Sequence, residues 1–279
     1  MAKKHPFPLN VIRLAFPMLQ SLLPNVANKL AIRLFLTPIR FGFTEKEKDV
    51  LPKFRQYTLK QNDKSIAVYS IGEGPVIVCV HGWSGRAMQF RLLAEELAKA
   101  GYKVVAFDAW GHGQSGGKMS SLFEFAQGLE IVLHSETNVK AVFAHSLGSA
   151  ASSYYAERIG KLPALVTFGA PVVAEDILSS FSETINASKE IHKAMRKEAV
   201  LRYDVTFDEV AMENTFKSVN CPVLALHGLA DKDVPSTHLD ILKSINPKID
   251  ARKYEGIGHR GILKNDKVIS DVVEWVKKL

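Results

Sequence analysis

From Phe54 to the C-terminus, short apolar runs alternate with longer stretches whose apolar residues recur every three or four positions. These are the patterns of strands and of amphipathic helices. Phe54–Lys60 and Ile66–Ser70 predict a hairpin turned by Asn62-Asp63. Val76–Val80 is a continuous apolar run, as expected of a strand covered on both faces. Phe90, Leu93, Ala94 and Leu97 then mark one face of a helix that Gly101 stops. Further strands are predicted at Lys103–Phe107, Val139–Ala144, Ala164–Phe168, Val223–His227 and Ile249–Tyr254. Helices fall between and after them, over Gly148–Ile159, Thr237–Ile245 and Lys267–Leu279. Ser121 and Glu124 predict a capping box for one more. Strands alternating with helices imply an α/β fold built on a mainly parallel, doubly wound sheet.

Two stretches depart from the alternation. Residues 9–37 read as two short apolar-basic helices, with Pro24 suited to the first turn of the second. Val172–Val219 is helical throughout, with Thr206 and Glu209 as a second capping box, and reads as a helical cap inserted between two strands. The expected organisation is an N-terminal extension over 1–50, the core in two parts over 51–171 and 220–279, and the cap over 172–219.

Ligands of such sheets bind outside the carboxyl ends of the strands. His81, Asp108, Ser146, Gly169 and Gly228 each follow a predicted strand, so they gather on that edge. Ser146 sits between a strand and a helix on a turn with almost no room, the layout of a nucleophile elbow. Gly148 supplies a small neighbour, and Ala144 another. The helix start turns free N–H groups and partial positive charge toward the serine. A serine nucleophile needs a base, and the base an orienting acid. His259, in Gly256-Ile257-Gly258-His259, follows the last strand and is the candidate base. Asp231 and Asp233 follow the strand before it, and spacing alone leaves both open. His81 is expected to brace a loop, and His145 to point away from the serine and hydrogen-bond within the core.

Composition narrows the picture. The net charge of +7 is concentrated in residues 1–44, where Lys3, Lys4, Arg13, Lys29, Arg33 and Arg40 meet no acid before Glu45. The basic balance therefore describes one segment, and no nucleic-acid motif accompanies it. Pro6, Pro8, Pro17 and Pro24 break the apolar runs that a signal peptide would need. Cys79 and Cys221 lie in or beside strand patterns, as in a reducing, cytoplasmic protein. No metal-ligand spacing occurs, and no cofactor is called for.

The motifs H-G-x-x-G from His81, D-x-W-G-H-G-x-S from Asp108, A-H-S-x-G around Ser146, G-x-x-D-x-x-V-P from Gly228 and G-x-G-H ending at His259 occur in one order. In that order and spacing the chain from about residue 54 resembles the α/β-hydrolase fold family, of the serine-esterase and lipase-like type. The resemblance implies Asp231 rather than Asp233 as the acid, and the backbone N–H groups of Trp83 and Leu147 as an oxyanion hole. It makes Asp108 and His112 a structural turn. Ala144 departs from the family's glycine, a change one methyl group makes tolerable.

A serine nucleophile argues against the relatives that use aspartate and for acyl transfer. The implied activity is hydrolysis of small-molecule carboxylic esters with small to medium acyl chains. Trp83, Trp110, Phe181, Met195, Phe207 and Met212 are expected to line the substrate pocket. Thioesterase, lysophospholipase, peptidase and carbon–carbon hydrolase chemistry stay open, as does a non-enzymatic receptor built on the same fold. The N-terminal segment is apolar almost all round, which predicts burial against the hydrolase core, at a pocket entrance or a dimer contact, in preference to a membrane surface.

Overall fold

A computed structural model describes residues 7–279 of the chain. Lys3, Lys4 and Pro6 of the basic segment lie outside the described residues. The strands are β1 (Arg55–Gln61), β2 (Lys64–Ile71), β3 (Val76–Val80), β4 (Lys103–Phe107), β5 (Val139–His145), β6 (Leu165–Phe168), β7 (Val223–Gly228) and β8 (Asp250–Tyr254). Helices α1 (Phe7–Leu22), α2 (Pro24–Leu36) and α3 (Glu45–Val50) precede the sheet. Helices α4 (Arg91–Lys99), α5 (Leu122–Ser135) and α6 (Leu147–Arg158) lie among its first strands. Then come α7 (Ala174–Ile185), α8 (Glu190–Tyr203), α9 (Phe207–Val210), α10 (Met212–Thr215), α11 (Thr237–Ile245) and α12 (Asp266–Val276).

The strands form one sheet in the order β1-β2-β4-β3-β5-β6-β7-β8. Only the β1–β2 and β2–β4 pairs are antiparallel. Asn62, at φ 55°, makes the β1–β2 turn, as its side chain's tolerance of the left-handed region allows. In the central strands alternate residues enter two different cores, which is why these strands read as unbroken apolar runs. Val78, Val80, Phe107 and Val142 join Phe125 and Leu129 of α5 and Ala150 and Ala151 of α6. Ile77, Cys79, Phe143 and Phe168 face the other way, onto Leu93 and Leu97 of α4 and Val268 and Val272 of α12. Ala144 is fully buried, so its methyl group is accommodated in the first of these cores.

The Thr206–Glu209 capping box forms. The one expected at Ser121 does not: Ser121 Oγ accepts from Phe123 N–H and donates to Glu124 at 2.5 Å. A single cap with a hydroxyl–carboxylate bond replaces the reciprocal pair.

The N-terminal helices pack on the inserted helices rather than on the sheet core. Phe16, Ala27 and Ala31 share a third apolar cluster with Leu178 and Ile185 of α7 and Ile191 and Met195 of α8. The Arg13 guanidinium donates to the carbonyls of Glu183 and Thr184 at the end of α7, at 2.5 and 2.7 Å. The hairpin is thus the outer wall of the insertion. Among the described residues no helix is long and apolar enough to cross a membrane.

Candidate active site

Ser146 links β5 to α6 with φ 52° and ψ −123°, a conformation that costs a non-glycine residue on the order of 1–3 kcal/mol. The surroundings hold it there. Ser146 N–H donates to Phe168 O of β6, and its carbonyl accepts from Ser149 N–H. A β-carbon at Gly148 would fall 2.5 Å from Val80 O, and one at Gly82 would fall 2.8 Å from Ser146 Cβ, so bare glycine is what lets α6 and the loop after β3 close on the serine. That contact brings the residue before Trp83 against Ser146. Leu147 is the first residue of α6, where an N–H has no partner within the helix.

His259 and Asp231 meet across the end of β6. His259 Nδ1 lies 2.7 Å from Asp231 Oδ2. Both flank Gly169, since a β-carbon there would come 3.1 Å from His259 Nδ1 and 3.2 Å from Asp231 Oδ2. Gly169 follows Phe168, the residue that accepts from Ser146 N–H, so the three groups converge on one strand end. Asp231 Oδ1 accepts from the N–H groups of Asp233 and Val234, both at 2.9 Å. Burial pushes this carboxyl upward, but hydrogen bonds from His227, His259 and Val234 N–H overcome it and hold the group well below the usual carboxylate range. An ionised Asp231 makes His259 Nδ1 the protonated nitrogen and leaves Nε2 as a base. Among the described residues no hydrogen bond joins Ser146 Oγ to Nε2, a contact that commonly tightens only with substrate bound.

His227 is a residue sequence reasoning missed. Its Nε2 lies 3.0 Å from Val234 O and 3.4 Å from Asp231 Oδ2, so it braces the loop that carries the acid. The signal was present: a histidine inside the buried run Val223–Gly228 needs polar partners. His145 Nε2 donates to the backbone carbonyl of His259 at 3.0 Å, and the two ring centroids lie 4.6 Å apart with the planes tilted by 46°. It points into the protein and anchors the loop of the candidate base.

His81 donates from Nδ1 to Gly82 O at 2.7 Å and accepts at Nε2 from Ala109 N–H at 2.9 Å, which ties two strand-end loops together. Asp108 accepts from Ala87 N–H and Gln114 N–H at 2.7 and 2.8 Å. The His112 ring lies between those of Trp83, His81 and Phe125. All three residues hold the turn and stand outside the Ser146–His259–Asp231 group.

The expected pocket residues divide. Trp83 and Trp110 follow strands at the sheet edge, and Trp110 walls a cavity of about 320 Å³ with Leu36, Lys118, Glu124, Arg202 and Tyr203, a lining that includes none of Ser146, Asp231 and His259. Met212 is a correction: it is 1% exposed and packed with Phe216 and Val219 in the core beneath the sheet face. Met195 is a second, buried against the N-terminal hairpin. Phe181 and Phe207 set their rings against Phe35 of α2, at 5.0 and 6.0 Å between centroids. The apolar positions of the insertion serve its packing because the hairpin covers them.

A family described as serine aminopeptidase, S33, matches residues 74–206, which include Ser146 and end before Asp231. A monoacylglycerol lipase of Mycolicibacterium smegmatis is 22% identical over 244 residues, 72% of this chain and 87% of that one. An esterase of Pyrococcus furiosus superposes with a TM-score of 0.67 at 19% identity, covering 87% of this chain and 99% of its own. The chain has the α/β-hydrolase fold. A second solved structure, the thioesterase domain from the curacin biosynthetic pathway, gives a TM-score of 0.61 at 18% identity over 80% of this chain and 99% of its own. The chain is therefore similar in fold to an esterase and a thioesterase domain and in sequence to a monoacylglycerol lipase.

The burial of three histidines predicts that acid destabilises the fold. Burial is the first cause in each: it pushes His81 well below its ordinary value, His112 down to about 4 and His145 down to about 3. Below ~6.5 the unfolded chain takes up protons that these rings refuse, so stability is full above that pH and falls toward 4. Each ring contributes up to ~1.4 kcal/mol per pH unit in that window. Asp108, raised by burial, acts in the opposite sense above ~3.9. Urea unfolding is expected to show a higher midpoint at pH 7 than at pH 5. Equal midpoints at the two pH values would mean that these rings are not buried as neutral groups.

Proposed function

We propose that this α/β hydrolase cleaves carboxylic esters of small to medium acyl chains through an acyl-enzyme on Ser146. The observation that carries the reading is the convergence of a strained serine elbow and the 2.7 Å His259–Asp231 pair on the end of one strand. His259 Nε2 takes the Ser146 Oγ proton as the oxygen attacks the ester carbonyl. The developing oxyanion is held by the N–H groups of Trp83 and Leu147, with the positive end of α6 behind them. His259 then returns the proton to the leaving alcohol, and water repeats the sequence to release the acid. Asp231 keeps the imidazole in its working tautomer and stabilises the imidazolium.

The acyl range is carried by the likeness to an esterase and a monoacylglycerol lipase. The lipase and esterase relatives support ester over amide cleavage.

A fluorophosphonate is expected to abolish hydrolysis and to leave a single adduct, on the peptide containing Ser146. A label on any other residue would overturn the mechanism. A panel of esters, thioesters and lysophospholipids should favour the esters. No turnover of any activated ester by the pure protein would favour the non-enzymatic reading instead.

A further inference from the structure

Helix α1 is apolar on two sides, which resolves the all-round pattern that predicted burial. One side, with Phe16, lies on the insertion. The other presents Val11, Leu14, Met18 and Leu22, which follow one another at helical spacing and are between 51% and 86% exposed. Leu23 and Val26, also exposed, carry this surface round the turn onto α2. On α2, Val26, Lys29 and Arg33 share one outward face at i, i+3 and i+7, so the aliphatic patch runs into a basic one. Beside the turn a groove of about 740 Å³ opens between Pro17, Ser21 and Pro24 of the N-terminal helices and Glu190, Lys193 and Lys197 of α8, where Lys193 pairs with Glu190 at 2.8 Å.

An aliphatic stripe bordered by lysine and arginine is the design of a segment lying at a membrane interface. We propose that the α1–α2 hairpin docks the protein on an anionic lipid surface. Leu14, Met18, Leu22 and Leu23 enter the acyl boundary, and Lys29, Arg33 and Lys197 meet the headgroup phosphates. Arg13 takes no part, because its guanidinium is bound to the α7 carbonyls. Charge selects this occupant over a second copy of the chain. The open face of the two helices carries Lys29 and Arg33 and no acid, so a symmetric pair would face its own positive charge. The far end of the segment reaches the candidate site, where Ile39 N–H donates to Ser84 Oγ at 3.0 Å, one residue beyond Trp83. The docking proposal stands apart from the assignment of Ser146.

The test is co-sedimentation of the full chain with vesicles of phosphatidylcholine alone and of phosphatidylcholine with phosphatidylglycerol. Binding is expected to the second kind, weakened by added salt. Leu14→Glu with Leu22→Glu should lower partitioning by about tenfold per residue. Lys29→Glu with Arg33→Glu should remove the preference for the anionic lipid. An unfolding transition equal to the parent's checks that each exposed-face variant is folded. Absence of binding to anionic vesicles, or binding that the leucine variant leaves unchanged, would overturn the proposal. So would a dimer in gel filtration that the leucine variant splits while vesicle binding is nil, which would assign the patch to self-association.

Discussion

Ser146→Ala is expected to lower kcat by about 10⁶ while leaving the fold intact. The size follows from what the hydroxyl does: without it no acyl-enzyme forms, and only the oxyanion donors and substrate binding remain to help water attack. The fold should tolerate the change for local reasons. The bond from residue 146 N–H to Phe168 O is made by the backbone and survives. Alanine at φ 52° carries a strain similar to serine's, so the elbow neither relaxes nor tightens appreciably. The measurement is steady-state hydrolysis of an activated ester by purified variant, beside its unfolding midpoint. Hydrolysis within tenfold of the parent, with an unchanged midpoint, would remove Ser146 from the mechanism.

The edge of the sheet was legible in the sequence because its physics is local. Alternation of strands and helices puts residues after Val80, Phe107, Ala144, Phe168 and His227 on one side, whatever the tertiary detail. Gly148 could be read too, since a helix that starts directly after a strand leaves no space for a side chain. What failed were inferences from composition to destination. Met195 and Met212 are apolar residues of an inserted stretch, and the pattern could not say whether their neighbour is a substrate or a helix; one meets the hairpin and the other the core. The N-terminal helices were read as buried because apolar residues surround them, whereas one face is covered and the other open. His227 escaped because its role depends on how the loop after β7 folds back, with Val234 O and Asp231 Oδ2 meeting one ring nitrogen. Choosing Asp231 over Asp233 required the family resemblance. In the structure it is Asp231 that His259 meets.

Asp231→Asn is expected to cost about 10⁴ in kcat with little change in KM, and the geometry says why. Asp231 Oδ1 accepts two backbone N–H groups, from Asp233 and Val234. An asparagine must keep its carbonyl oxygen there, since turning the amide would set its NH₂ against two donors. The NH₂ is therefore forced into the Oδ2 position, facing His259 Nδ1. Nδ1 then becomes the acceptor, the proton moves to Nε2, and the nitrogen that should take the Ser146 proton already holds one. The loop bonds persist, so the variant should bind substrate and fold nearly as the parent does. Asp233→Asn is the control, because its side chain stands on the exposed side of the same loop, and its loss should stay within about threefold on the usual scale of surface changes. A mild Asp231→Asn beside a crippled Asp233→Asn would move the orienting role to Asp233, and comparable losses in both would mean that the loop, rather than either carboxylate, sets the imidazole.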